Sequence, residues 1–451
     1  MTTESVEPYP RRGVAWYAVF VLMLCFTLSY VDRQILSFLV EPMKADLGLS
    51  DTQIGLIQGL FFAIPYTVIG LFAGLLADRF SRRNIVICGL VAWSLMTTMS
   101  AVARSFFTLS LARIGLGSGE APLNPCAFSL IADTFPKERL ASALSLYTMG
   151  IQVGSGLALI IGGVVSQAVT DRPPVDLPVI GTIASWRLSF LIVGLPGLLI
   201  ALLLFTVKEP ARRGLLRNRD GVVVSLGFAE SVSQVVARWQ SVLGLGFMIA
   251  CMSMCNYALL NWGPAFFQRV HHWPKDQIGL TLGTITLVCG CGGLIVGGRL
   301  ADSWHRAGRV DGPLRVALLS LIGAGVSLPL AMVMPTAKLT VALLVVAVFC
   351  IGLPIGSIYA AVQLIFANQV RGFASAVVLF IVTITGLTLG SLLPGFYNDY
   401  LFRDPLMVGY SVALTVGVAS VAGVIIVLAT LRPYRRDYQL MHGAPAPTRI
   451  S

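Results

Sequence analysis

Four charged residues stand inside long apolar runs, where charge is costly. Asp32 and Arg33 lie in Tyr30-Val-Asp32-Arg33-Gln34-Ile35-Leu36, and Arg113 and Glu120 in Arg113-Ile-Gly-Leu-Gly-Ser-Gly-Glu120-Ala-Pro122. Arg113 and Glu120 are seven apart, nearly two helical turns, so a helix places them on one face about 10 Å apart along its axis. Asn124 extends that face by one more turn. Gly115, Gly117 and Gly119 leave room for a second helix, so the first apolar run can bring Asp32 or Arg33 against the same face. The four formal charges cancel, and pairing lowers the desolvation penalty that each would meet alone.

The chemistry open to such a cluster is proton transfer and anion recognition. Burial disfavours a charged carboxyl and a neighbouring guanidinium favours it, so a site that meets water from alternate sides changes its affinity for protons. Asp32 and Glu120 are the candidate proton carriers, with Arg113 beside them. Arg33 and Arg113 hold the carboxylates or bind a substrate headgroup, because a planar guanidinium donates two hydrogen bonds to phosphate or carboxylate. Glu120 and Asn124 are expected at the same substrate site. A structural ion-pair network that only organises helix packing is the competing reading.

No comparable charge lies deep in the second half of the chain. Its polar candidates are Asn256, Tyr257 and Asn261, then Tyr359 and Gln363, then Thr383 and Thr385. Of these, Asn256, Tyr359 and Gln363 are the expected substrate contacts, and Tyr359 and Gln363, four apart, share a helical face. The eight cysteines fall inside apolar runs without Cys-x-x-Cys spacing, and His271 and His272 have no companion ligands, so no metal site is expected. There is no Gly-x-x-x-x-Gly-Lys-Ser/Thr phosphate loop and no pattern of nucleophile and base. The chain reads as a non-enzyme without cofactors, driven by a proton or substrate gradient.

The elements that must position these residues follow from composition. The chain has 451 residues, 56% apolar and 12% charged, whereas a soluble domain carries about 25% charged residues. Its mean hydropathy is +0.81. The net charge of +11 comes from basic residues set singly or in twos and threes between apolar runs, which marks membrane topology and not a nucleic-acid surface. Twelve runs fall at about 14–40, 52–77, 85–103, 107–132, 140–169, 188–206, 240–267, 278–301, 316–334, 339–366, 374–396 and 406–431. In lipid every backbone group must be bonded internally, so these runs predict helices. Lys and Arg concentrate in the even-numbered gaps and at the ends, which predicts cytoplasmic termini.

The expected fold is therefore all-α and integral to the membrane, with twelve transmembrane helices in two six-helix bundles. Residues 1–206 form the N-terminal bundle, 207–239 a cytoplasmic linker, 240–432 the C-terminal bundle and 433–451 a cytoplasmic tail. In the linker, Phe228, Val232, Val235, Val236 and Trp239 recur at helical spacing and predict an amphipathic helix on the membrane face.

The two halves share a motif: Gly74-Leu-Leu-Ala-Asp78-Arg79-Phe-Ser-Arg82-Arg83 and Gly298-Arg-Leu-Ala-Asp302-Ser-Trp-His-Arg306, each ending the second run of its half. An aspartate at a helix end suits the positive N-terminus of a neighbouring helix, and the arginines suit acidic side chains or lipid phosphate. Motif, duplication, helix count and charge bias together resemble the major facilitator superfamily of secondary transporters. The resemblance implies a conformational latch of Gly74, Asp78, Arg79, Arg82, Arg83, Asp302 and Arg306. In it, Asp78 bears on the eleventh helix near Ala374 and Asp302 on the fifth near Leu140. Only Arg306 holds the basic end of the second copy, so that latch is expected to be weaker. Gly150, Gly154, Gly156, Gly162 and Gly163 on the fifth run read as close helix packing.

Tyr30 through Gln58, Leu111 through Arg139 and Trp186-Arg187 through Pro210 resemble the Spinster family more narrowly. Its animal members move lysophospholipids or sphingosine 1-phosphate. The resemblance implies an amphipathic lysophospholipid- or sphingolipid-like substrate, proton coupling and alternating access by rocking of the two halves, in a monomer of the bacterial inner membrane. Gly117-x-Gly119-Glu120-Ala121-Pro122 also resembles the anion:cation symporters of sugar acids, which makes a small organic anion the alternative substrate. A membrane sensor that binds without transporting is the alternative of another class.

Overall fold

The computed structural model describes residues 9–170, 172–177, 181–212, 228–366 and 368–442. Ten helices among them are long and apolar enough to cross a membrane, from Arg12–Phe38 to Pro405–His442. The fourth and tenth apolar runs are the ones that fall short, because each is interrupted. The fourth forms Phe106–Glu120 and Leu123–Thr134, and the tenth forms Ala337–Gly352 and Ile355–Leu364. The interruptions fall at Pro122 and Pro354, whose rings remove a backbone donor from the helical ladder. Ala121 (φ −53°, ψ −40°) and Leu353 (φ −49°, ψ −49°) stay helical, so a rung is lost while the chain keeps its direction. Pro196 sits inside Leu188–Thr206 without such a break. A short antiparallel pair, Val175–Leu177 with Gly181–Ile183, joins two helices where the sequence predicts no strand.

The chain divides into two compact units, Met1–Leu216 with Gly263–Leu287, and Arg217–Trp262 with Val288–Ser451. In the first unit the long helix Lys137–Thr170 packs along Arg12–Phe38 and along Lys275–Ile285. Its glycines make both approaches possible. Gly150 faces Met23 and Phe26, Gly154 faces Thr27 and Tyr30, and Gly162 faces Phe38, while a Cβ on Gly163 would stand 2.8 Å from the Gly279 Cα and overlap the Lys275 carbonyl. The glycines between Arg113 and Glu120 serve other partners than expected. Gly117 meets the Phe62 carbonyl and Pro65, Gly119 meets Gly89 and Trp93, and Gly115 meets Met96. They admit Leu60–Arg79 and Arg82–Met99, not the first helix, because a glycine stripe opens a face without naming what fills it.

The second unit has its own core, in which Leu245, Met248, Leu314, Leu321, Phe366, Val370, Val427 and Tyr434 pack together. The helix expected in the linker is present as Phe228–Ala237. Its placement differs from a helix lying wholly on a membrane face: Val235 is buried in this core, and Val236 and Trp239 are 59% and 55% exposed. The rest of the linker, 213–227, lies outside the described residues. The last helix continues as Val408–His442, past Pro433, and the buried Asp437 accepts a hydrogen bond from Ser241 at 2.6 Å. Asp311 is paired with both Arg315 and Arg435. Burial pushes its carboxyl up, but the Arg435 hydrogen bond and the two cationic charges outweigh this and leave it below the usual aspartate range.

The Gly163 contact yields a test. Gly163→Val forces a branched side chain against Lys275 and Gly279 and is expected to lower the thermal stability of the purified protein by several degrees, as overpacking typically does. Gly417→Ala, where nothing lies within 4 Å of the new Cβ, is expected to leave it unchanged. Equal melting temperatures for the two variants would refute the close packing.

Candidate functional site

The structure brings Asp32, Arg33, Arg113 and Glu120 together, but the pairing is selective. Arg33 donates from Nε to Glu120 Oε2 at 2.7 Å and also pairs with it through Nη2. The guanidinium lies over three rings, 4.4 Å from Phe62, 5.1 Å from Tyr66 and 5.4 Å from Tyr30. Such stacking suits the flat, weakly hydrated face of arginine and keeps its edge for the carboxylate. Arg113 donates from Nη1 to the backbone carbonyl of Asp32 at 3.2 Å and lies 5.6 Å from the Phe190 ring.

Asp32 is the exception. It is 0% exposed, and neither carboxylate oxygen has a hydrogen-bond partner. Its electrostatic neighbours are Glu120, Arg113, Thr97 and Trp93. Trp93 Nε1 and Thr97 Oγ1 face the acid as hydrogen-bond donors without reaching it in ordinary geometry, and Arg113 acts on it by its charge. The cluster therefore contains one carboxylate fixed by a salt bridge and one that is not fixed.

Asn124 extends the site by a mechanism absent from the sequence pattern. Its Nδ2 donates to the Tyr66 hydroxyl at 3.1 Å and its Oδ1 accepts from Tyr147 at 2.7 Å. Tyr147 is buried and stacks on Phe26, with centroids 5.1 Å apart. Asn124 thus ties together Leu60–Arg79, Leu123–Thr134 and Lys137–Thr170, and Tyr66 links this chain to the Arg33 stack. Tyr66 and Tyr147 were invisible as site residues because nothing in their local sequence sets them apart.

In the second unit Asn256 is half-buried, and Gln363 is exposed, with Nε2 donating to Ser375 at 3.4 Å. The Tyr359 side chain lies outside the described residues. Asn261 is the more enclosed amide, donating to Ser391 Oγ at 2.6 Å beside Trp262, whose Nε1 donates to the Ser391 carbonyl at 2.8 Å.

Of the expected latch residues whose side chains are described, Arg82 is the most enclosed. It is 1% exposed, pairs with Asp133, and donates from Nε to Glu209 at 2.9 Å and from Nη2 to the Pro210 carbonyl at 3.0 Å. Glu209 also accepts from Ser81 at 3.0 Å and from the Arg83 backbone N–H at 2.9 Å. Arg83 reaches the Val207 carbonyl at 3.2 Å. Asp133 and Glu209 were not singled out in the sequence, although acidic partners for these arginines were expected. Arg79, Asp302 and Arg306 are exposed, Gly74 lies within the helix Leu60–Arg79, and the Asp78 side chain is outside the described residues.

A second ion cluster escaped the sequence reading altogether. Asp51, 0% exposed, accepts from Arg269 Nη1 at 2.7 Å and Nη2 at 2.8 Å and from Lys44, while Arg269 Nε donates to Glu41 at 2.6 Å. Its local signal was the capping box of Ser50 and Gln53, which starts the helix at Asp51.

Known proteins place this geometry in a wider setting. The family model of the Major Facilitator Superfamily matches residues 22–391. The chain is 32% identical over 442 residues to an MFS-type efflux pump of Mycolicibacterium smegmatis, covering 95% of each protein. It is 27% identical to protein spinster homolog 1 of Xenopus tropicalis, over 69% of this chain and 60% of that longer protein. It is 26% identical to a probable L-galactonate transporter of Escherichia coli, over 74% and 72% of the two chains. Among solved structures, a bacterial homolog of the human lysosomal transporter Spinster superposes with a TM-score of 0.77 at 24% identity, covering 97% of this chain and 100% of that one.

Two outcomes check the pairings. Arg33→Leu strands the buried Glu120 carboxylate, which costs about 3–5 kcal/mol, whereas Arg33→Leu with Glu120→Leu removes both charges. The single variant is expected to melt lower than the double, and the reverse order would show that the pair does not form. Burial pushes the Glu209 carboxyl up, yet the Arg83 N–H, Arg82 and Ser81 outweigh it and hold it below the usual glutamate range. Its contribution is then complete above the unfolded value of about 4.3 and is lost as pH falls through the lower folded value. The melting difference between wild type and Glu209→Gln is expected to be full at neutral pH and to shrink in acid below about pH 4. A difference unchanged with pH would contradict this.

Proposed function

Because the chain belongs to the Major Facilitator Superfamily and is a Spinster-like transporter within it, we propose that it is a proton-coupled secondary transporter of an amphipathic, lysophospholipid- or sphingolipid-like anion, working by alternating access. The observation that carries this reading is the division of labour between two buried acids: Glu120 is fixed by Arg33, and Asp32 is not fixed. An acid held by no salt bridge, with only the loosely placed Trp93 and Thr97 donors beside it, takes up or loses a proton without breaking an ion pair, so Asp32 is the proton carrier. Arg33 and Arg113 bind the headgroup. An anion that draws Arg33 away from Glu120 leaves a buried charge unpaired, which a second proton neutralises. Substrate and proton are then linked through one guanidinium.

The aromatic walls around Arg33 suit the same class of substrate. Tyr30, Phe62 and Tyr66 hold the cation by its faces and offer an apolar surface next to it. Asn124, Asn256, Tyr359 and Gln363 complete the proposed substrate contacts. Gly74, Asp78, Arg79, Arg82, Arg83, Asp302 and Arg306 form the proposed latch, supported by the Arg82 contacts with Asp133 and Glu209. We place the protein in a bacterial inner membrane with both termini cytoplasmic, as a monomer of twelve spans that needs no cofactor beyond the coupling proton. A small sugar acid is the second reading, favoured by Gly117-x-Gly119-Glu120-Ala121-Pro122 and by the likeness to the L-galactonate transporter.

Proteoliposomes with an imposed pH gradient separate these readings. Wild-type protein is expected to move a lysophospholipid or sphingosine phosphate, and Asp32→Asn to fall to the protein-free background while keeping its melting temperature. Gradient-driven flux retained by Asp32→Asn would remove Asp32 from coupling. Flux of a sugar acid alone would select the second reading, and saturable binding without flux would mark a sensor.

A further inference from the structure

Away from the charged cluster, a pocket of about 420 Å³ opens at the start of the Arg12–Phe38 helix, with Tyr9, Arg12, Trp16, Thr134, Phe135 and Arg139 among its lining. Arg12 comes from the first turn of that helix and Arg139 from the first turn of Lys137–Thr170, so two guanidiniums reach one opening from different elements. No lining residue is acidic, and the ion pairs among the described residues include neither arginine. The nearby acid, Asp133, is committed to Arg82. Trp16 stands edge-on to Phe135 with centroids 5.0 Å apart, which gives the pocket a firm aromatic wall. Thr134 is buried, its hydroxyl donating to the Leu130 carbonyl at 2.6 Å.

The position narrows the ligand. The pocket sits at the end of a membrane-crossing helix and at the loop between two others, the level at which headgroups lie and at which Trp and Tyr are favoured. Two guanidiniums at that depth, unpaired among the described residues, suit a phosphate. Below the pocket the same helix face is apolar and open: Phe20, one turn after Trp16, is 49% exposed. A free phosphate would use only the arginines, whereas a phospholipid would also lay an acyl chain along Phe20.

We propose that this pocket binds the headgroup phosphate of an anionic phospholipid in the leaflet that carries the N-terminus, as a resident lipid distinct from any transported molecule. The assignment does not depend on what the chain transports, since none of the lining residues belongs to the Asp32 cluster. Its consequence is a lipid clamp between the start of Arg12–Phe38 and the loop that begins Lys137–Thr170, two helices that pack along each other.

Native mass spectrometry of the purified full chain tests it, with phosphatidylglycerol and phosphatidylcholine of matched acyl chains as probes. Wild type is expected to retain phosphatidylglycerol in preference to phosphatidylcholine, and R12Q/R139Q to bind it roughly tenfold or more weakly. Equal retention by wild type and variant, or equal retention of both lipids, would overturn the proposal. Displacement of phosphatidylglycerol by an equal concentration of inorganic phosphate would overturn the lipid as source. Wild type alone provides a check that needs no substitution: a photoreactive phosphatidylglycerol is expected to label peptides within 9–20 and 134–139, and labelling elsewhere in preference to these would count against the site.

Discussion

The rest of the first unit depends on one constraint, the need to give a fully buried Glu120 carboxylate a cation without water. Arg33 supplies it. A guanidinium at that depth needs its faces covered, which places Phe62, Tyr66 and Tyr30 around it. Phe62 and Tyr66 can come so near only because Gly117 lets the Phe62 backbone lie against the helix that carries Glu120. Gly119, facing Gly89, draws in Arg82–Met99, the helix that brings Trp93 and Thr97 beside Asp32. Ion pair, aromatic stack and glycine stripe are thus one device. A larger residue at Gly117 would act on the charges through helix spacing.

How much of this was legible depends on which physical signal a residue leaves in the chain. The seven-residue spacing of Arg113 and Glu120 was legible because helical period fixes a shared face, and Asp32 and Arg33 because charge in an apolar run is conspicuous. The pairing was not, since Arg33 and Asp32 are neighbours in sequence and only the rotation of their helix decides which meets Glu120. Glycine shows where helices approach but carries no side chain to identify the partner, so the stripe was assigned to the first helix when it serves two others. Arg269 carries no local sign of its role, yet it closes on Asp51 and Glu41 through contacts far apart in sequence. The apolar runs gave the helices well, but a hydropathy pattern does not register a single lost rung: proline marked Pro354 and Pro196 as places of bending, of which Pro354 breaks its helix and Pro196 does not, while the break at Pro122 was not foreseen.

Those breaks lie in corresponding members of the two repeats, the fourth and the tenth runs, and discontinuous helices in matching positions are where transporters place substrate and ion sites. The duplication has kept the break and changed the chemistry around it. In the first repeat the turn before the break ends in Glu120, with Arg113 two turns earlier. In the second, Ala337–Gly352 carries only the exposed Lys338 at its start, and Ile355–Leu364 is uncharged. An uncharged break cannot store a proton, and it carries none of the desolvation burden of the charged one; the Cys350 carbonyl, which Pro354 cannot bond, accepts instead from the Leu353 N–H at 3.2 Å. The proposed proton chemistry therefore belongs to the first repeat alone. Under the same proposal the second repeat would recognise the uncharged part of the substrate, a task for which an apolar wall with a few amides and hydroxyls is the cheaper construction.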